Sequence, residues 1–171
     1  MNDREKVVEY LRCGSNGKID IAWADLKDVY FPHANITGSL IYCDFRNAYL
    51  DGANLTSLDL FKANFSNATL TGTKLIETDL SHSVLRNSNM FIAKLLKANL
   101  NYADLTDAIL ISADLSDANL ANADLTNAIL SNADLTRANF TNADLTNADL
   151  RGAILTDAIF TDAIMTDTLM D

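Results

Sequence analysis

The residues able to do chemistry are few, and their spacing assembles no reactive set. His33 and His82 are the only histidines, and forty-nine residues separate them. A general base has to sit beside the nucleophile it activates, and no serine or cysteine is placed to use either ring. Cys13 and Cys43 are the only thiols. Two cysteines are too few for a disulfide framework, and no Cys/His set stands at zinc spacing. No glycine-rich phosphate loop occurs. No catalytic residue, metal or cofactor is therefore expected, and an enzyme is not expected either.

The aspartates behave differently. Asp104, Asp124 and Asp144 are twenty apart, as are Asp114 and Asp134. That interval belongs to a pattern running through the whole chain. From Leu40 to Met170 a Leu, Phe or Met stands at every fifth position, twenty-seven times without exception. We call this the centre, i. A small residue, usually Ala, stands at i−2 in every repeat except at Leu58. Asp or Asn is common at i−1, and Thr or Ser at i+1. A shorter frame, Ile21, Leu26, Phe31 and Ile36, precedes it, and the four-residue step from Ile36 to Leu40 drops one residue from the register.

Five matches neither the helix period of 3.6 nor the strand period of 2. The chain must turn at regular intervals, so that i and i−2 return to the same side. Residues two apart share a strand face, so short extended pieces joined by turns satisfy the pattern. Asp, Asn, Ser and Thr suit those turns because their side chains bond nearby backbone groups.

The A-(D/N)-L-(S/T)-x pattern, clearest from Ala103-Asp104-Leu105-Thr106-Asp107 to Ala163, resembles the pentapeptide repeat family. The resemblance covers residues 19 to 171. It implies an all-β solenoid, a right-handed quadrilateral β-helix with four pentapeptides per coil and i and i−2 pointing inward. Thirty-one repeats then make about eight coils, a rod about 37 Å long at the inter-strand rise. Residues 1–17 read as an N-terminal cap, with a short α-helix over 3–13, and 18–171 as the β-helix. Asn2 and Glu5 have capping-box spacing, Val7, Val8 and Leu11 offer an apolar face, and Gly14 suits a helix C-terminus. Phe45 should stack on Phe65 and Phe140 on Phe160, and Cys43, at a small inward position, should be a buried thiol.

Composition narrows the partners. The 171 residues carry 23 acidic and 13 basic groups, a net charge of −10. A nucleic-acid binder needs a basic face, so direct nucleic-acid binding is not expected. No apolar run reaches the roughly 18 residues of a membrane span. The charged opening lacks a signal-peptide core, so a cytoplasmic protein is expected. The family is abundant in cyanobacteria.

Function, if it is written anywhere, is written on the outward positions. Ile76, Phe91, Ile92, Leu96, Tyr102 and Ile111 put apolar residues where Thr, Ser, Asn or Gly is usual, with Lys74, Lys94 and Lys97 around them. They read as a contact surface for a protein partner. The alternative lies in the acidic half. Residues 101–171 hold 12 acidic and 2 basic groups, while residues 1–100 hold 11 of each. Ten net charges over about 17 Å is about one per 1.7 Å, the density of duplex DNA. Some members of the family bind DNA gyrase in place of DNA. The resemblance therefore implies a second reading, an acidic DNA mimic using Asp104, Asp124, Asp144, Asp114 and Asp134. This chain lacks the large inserted loops of one gyrase-protecting branch. Finally, Ile154, Ile159, Ile164 and Leu169 take the i−1 site in the last coil, where an end-to-end homodimer would cover them.

Overall fold

The computed structural model describes Glu5, Ile19, Asp20 and residues 22–171. The predicted helical cap and Cys13 lie outside the described residues, except for Glu5. β1 (Ile19–Asp20) pairs in parallel with β2 (Gly38–Ser39). From there to Leu169 the chain makes single-residue parallel bridges, one per repeat, always at i−1. Each side of the coil is only three residues long before the chain turns, too short for a continuous strand.

From Leu40 onward the turn is the same at each corner. In the repeat around Leu105, the Ala108 N–H donates to the Leu105 carbonyl at 3.0 Å, and Asp107 between them has φ 58°. Positive φ at the third residue is what a type II turn requires. Asn, Asp and Gly fill most of these i+2 corners because they tolerate that region best. Four corners close one coil, and we number its sides by residues 98–100 (side one), 103–105 (two), 108–110 (three) and 113–115 (four).

Coils are joined by backbone hydrogen bonds in both directions. The Leu105 and Asp107 N–H groups donate up to the Asp124 and Thr126 carbonyls at 2.7 and 3.0 Å, while the Asp124 N–H donates down to the Ala103 carbonyl at 3.0 Å. Bridges are nineteen residues apart from Asp25↔Asp44 to Asn35↔Asn54, and twenty apart from Ser39↔Asp59 onward. One short coil thus absorbs the residue missing between Ile36 and Leu40, and every later column stays in register.

The interior is a stack of leucine and alanine squares. From Leu40 to Leu150 all centres are buried. Phe45 stacks on Phe65 with centroids 4.7 Å apart and planes 1° from parallel, and Phe140 on Phe160 at 5.0 Å and 1°. Cys43 is fully buried. Leu58 fits because the Ser39↔Asp59 bridge sets it over Gly38.

Four consecutive repeats replace the inward alanine by Thr73, Thr78, Ser83 and Ser88, all buried. A buried hydroxyl is costly unless bonded. Thr73 and Thr78 Oγ1 donate to the Leu50 and Leu55 carbonyls of the coil below at 2.9 and 2.8 Å, and Ser88 Oγ donates to the Leu85 carbonyl at 2.7 Å. Ser83 Oγ has no partner among the described residues. Ser83→Ala, which restores the usual residue, should raise unfolding stability by about 1 kcal/mol, whereas Thr73→Ala should lower it by about the same. Urea midpoints at unchanged slope would measure both, and a loss of stability on Ser83→Ala would refute the assignment.

Candidate functional site

Because i−2 and i fill the core, positions i−1, i+1 and i+2 face outward and stack in columns with their equivalents twenty residues away. Phe91, Ile92 and Ile111 lie at the corner between sides three and four, and Ile76 and Leu96 at the corner between sides four and one. The structure thus brings five of the predicted contact residues to the two edges of side four, with Lys74 and Lys94 between them. Phe91 and Ile92 are 41% and 42% exposed, too open to count as core, while Ile76, Leu96 and Ile111 are half-buried. Side three adds two residues that the sequence reading missed. Ile109 and Ile129 bridge each other at i−1, where Asp or Asn is usual, and Ile109 and Ile111 flank buried Leu110 on the outer surface. Their twenty-residue spacing was the available signal.

Ile92 carries an additional cost. Its φ is 51°, and a β-branched residue in that region is a backbone outlier. Its column otherwise holds His33, Gly52, Gly72, Ser112, Asn132 and Gly152, none of them β-branched.

Tyr102 does not join this patch. It follows Phe91 by eleven residues, about half a coil, and occupies the corner between sides one and two. There it stacks on His82 with centroids 4.9 Å apart. His82 meets Phe61 edge-on at 5.4 Å, Phe61 meets Tyr42 at 5.7 Å, and Tyr42 stacks on Trp23 at 4.0 Å. The Lys62 ammonium lies over the Tyr42 and Phe61 rings. Tyr102 therefore ends a five-ring ladder along one edge, half a coil from Phe91, and His82 packs within that ladder.

The acidic ladders are separate from one another. Asp104, Asp124 and Asp144 bridge in succession on side two, and Asp114 and Asp134 on side four, half a coil away. Between them side one presents Asn99, Asn119 and Asn139, whose amides bond one above another at 3.2 and 3.3 Å. Each ladder aspartate also holds its own corner. Asp124 Oδ1 accepts the Thr126 N–H at 3.0 Å, and Asp144 Oδ1 accepts the Thr146 N–H and hydroxyl at 2.9 and 2.6 Å. Asn does the same in other repeats, as where Asn139 accepts from Thr141. Some of the charge is compensated: Asp104 pairs with Arg86, Asp117 with Arg137 and Asp149 with Arg151.

These contacts set the acid behaviour. Partial burial pushes the Asp44 and Asp124 carboxyls up, but hydrogen bonds outweigh it and hold both below the usual range. The donors are Arg46 and Lys27 for Asp44, and Thr126 and Thr106 for Asp124. Hydrogen bonds from Thr136 lower Asp134, from Arg137 lower Asp117, and from Arg151 lower Asp149.

Ile154, Ile159, Ile164 and Leu169 stand one on each side of the last coil, each about half exposed. Among the described residues no cluster of three His, Cys, Asp or Glu could hold a metal ion, and no helix is long and apolar enough to cross a membrane.

The pattern of pentapeptide repeats matches this chain in eight copies, over residues 20–67, 63–90, 93–127 and 133–170. HetL, a pentapeptide repeat protein involved in heterocyst differentiation regulation from the cyanobacterium Nostoc, is 27% identical. Its match has a TM-score of 0.51 and covers 99% of this chain and 97% of HetL. A pentapeptide repeat protein from the Arabidopsis thaliana thylakoid lumen is 32% identical, with a TM-score of 0.53, over 55% of this chain and 66% of that one. QnrB1, a plasmid-mediated fluoroquinolone resistance protein, is 22% identical, with a TM-score of 0.56, over 90% of this chain and 86% of that one. At that identity the likeness shows the fold alone. Such neighbours are right-handed quadrilateral β-helices. No curated protein sequence matches the chain.

Two measurements follow from the corners. Ile92→Asn should leave stability unchanged or raise it by up to about 1 kcal/mol, because Asn tolerates positive φ; a loss beyond about 1 kcal/mol would make Ile92 a core residue. The lowered carboxyls give a pH dependence of definite sign. Their contribution is present above the unfolded value near 3.9 and is lost as pH falls through the lower folded values. The thermal midpoint should therefore hold down to about pH 5 and fall below about pH 4. A midpoint that rises below pH 4 would mean that relief of charge repulsion outweighs these bonds.

Proposed function

This chain belongs to the pentapeptide repeat family, and from that premise we propose that it is a non-catalytic scaffold that binds a protein partner. The contact surface is the apolar strip of Phe91, Ile92, Ile109, Ile111 and Ile129, with Ile76 and Leu96 on the far edge of side four. One observation carries the reading: Ile92 combines a strained, positive-φ backbone with an apolar side chain open to solvent, directly beside exposed Phe91. Solenoids characteristically bind through such extended surfaces, and contiguous exposed apolar area marks contact sites. HetL is involved in the regulation of differentiation, a role that a binding scaffold can serve.

A second reading, the acidic DNA mimic, draws on Asp104, Asp124 and Asp144, which form an unbroken outward column in the charged half. Its weakness is that Asn can do the same corner work, so aspartate at i−1 needs no further use to explain it. The two readings respond differently to salt, since exposed charges are screened and apolar contacts are not.

The test uses the whole protein immobilised as bait, at low and high salt, in three forms. Capture that survives high salt, is lost on Phe91→Asp and persists in the Asp104→Asn/Asp124→Asn/Asp144→Asn triple variant is the expected result. Because Asn keeps the corner hydrogen bonds, that triple variant should fold normally. Capture that disappears at high salt and in the triple variant, but survives Phe91→Asp, would replace the scaffold reading with the mimic.

A further inference from the structure

We propose that side four is a self-recognition face, on which a second, antiparallel copy of this chain docks through a two-fold axis between the coils of Lys94 and Asp114. The observation is the order of charges in one column. Lys74, Lys94, Asp114 and Asp134 bridge in succession along side four. They occupy four consecutive coils on a flat strip about 19 Å tall at the inter-strand rise. All four side chains alternate with buried inward neighbours and so project from the face. Among the described residues neither lysine makes an ion pair, although two like charges directly opposite on neighbouring strands are destabilising. Each aspartate uses Oδ1 to hold its own corner, through Ser116 or Thr136, and among the described residues none donates a hydrogen bond to its Oδ2.

A column reading plus, plus, minus, minus is antisymmetric about its midpoint. An isologous two-fold contact sets residue j opposite residue k and k opposite j. Reversing a copy about the midpoint places Lys94 against the partner's Asp114 and Lys74 against the partner's Asp134, each pair occurring twice. A uniformly acidic partner would meet Asp114 and Asp134 with like charge, and a uniformly basic one would meet the two lysines. The flanking columns obey the same operation. Phe91 falls opposite the partner's Ile111, so two of the exposed apolar side chains cover each other. At the other corner Glu77, Lys97, Asp117 and Arg137 stack in that order, and reversal sets Lys97 against the partner's Asp117 and Glu77 against the partner's Arg137. Those four already pair vertically, Lys97 with Glu77 and Arg137 with Asp117, so docking extends two pairs into charge networks. Packed sheets stand about 10 Å apart, a gap that an extended lysine and an aspartate can bridge. The strip is narrow for a permanent interface, so the dimer is expected to be reversible, salt-sensitive and dependent on concentration.

This inference is independent of the partner proposed above, although the two share Phe91 and Ile111. Sedimentation velocity over a concentration series tests it, with circular dichroism to show that each variant is folded. The wild type should show a monomer–dimer equilibrium that shifts to monomer in high salt. Lys74→Asp/Lys94→Asp should raise the dissociation constant about tenfold or more, and Asp114→Lys/Asp134→Lys should do likewise. Mixing those two variants should give a heterodimer, and combining all four changes in one chain should restore the homodimer. Ile159→Asp, at the end of the rod, should leave association unchanged. A wild type that stays monomeric at millimolar concentration would overturn the inference, as would a dimer indifferent to the charge reversals or broken by Ile159→Asp. The two proposals fail separately: a monomer that still captures another protein through Phe91 sinks only the dimer. A dimer that follows the charge swaps, with no Phe91-dependent capture, sinks only the scaffold.

Discussion

From Tyr42 to Asp167 every fifth residue turns through a left-handed backbone conformation, and the rest of the structure is arranged around that demand. Glycine would meet it without steric cost, but glycine holds only a minority of the corners. The others carry side chains at roughly 1–2 kcal/mol of strain each, less for Asn and Asp. The strain is offset locally and repeatedly. From Tyr42 to Asn147 each corner N–H donates to the coil above, Asp or Asn at i−1 commonly accepts from the i+1 N–H, and the sharp turn delivers the i and i−2 side chains inward. No single repeat could sustain this balance alone, because each depends on the coil above and below, as in other solenoids.

The same demand separates the inside of the rod from its outside. Inward positions have almost no freedom: a large residue at i, a small one at i−2, and a penalty for any polar substitute without a partner. Ser83 shows that limit, and Thr73 and Thr78 show how it is met by a carbonyl one coil below. Outward positions have no such restriction, so they can vary without disturbing the fold. Sides one and two carry amide and carboxylate ladders that serve the corners. Sides three and four depart from that pattern with isoleucine, phenylalanine and lysine, and the departures are concentrated in the middle coils.

The fold could be read from the sequence because period five leaves few geometries that return i and i−2 to one side. The phenylalanine pairs and the position of Leu58 over Gly38 followed from the twenty-residue coil. The surface was harder to read. Tyr102 is close to Phe91 in sequence, yet eleven residues is half a turn of the rod. The ladder from Trp23 to Tyr102 was hidden because its steps are nineteen, nineteen, twenty-one and twenty residues. The short coil sets the first, and Phe61, which sits at i+1 rather than i+2, sets the second and third. Ile109 and Ile129 stand at i−1 on the flat of side three, so their place beside Phe91 and Ile111 emerges only once the sides are assigned.

The short coil near the start also has a bearing on how such a chain can change its length. The residue missing there leaves every later repeat on the same four sides, and only the column numbering shifts. Losing a full coil of twenty residues would be equally silent inside the rod, since leucine would again meet leucine. Outside it would not be silent. Removing the coil of Lys94 or of Asp114 would leave three charges on side four in an order with no internal symmetry. Insertions and deletions that the core cannot detect would thus rewrite the outer face in whole-coil steps, so recognition could diverge between descendants while the architecture stays the same.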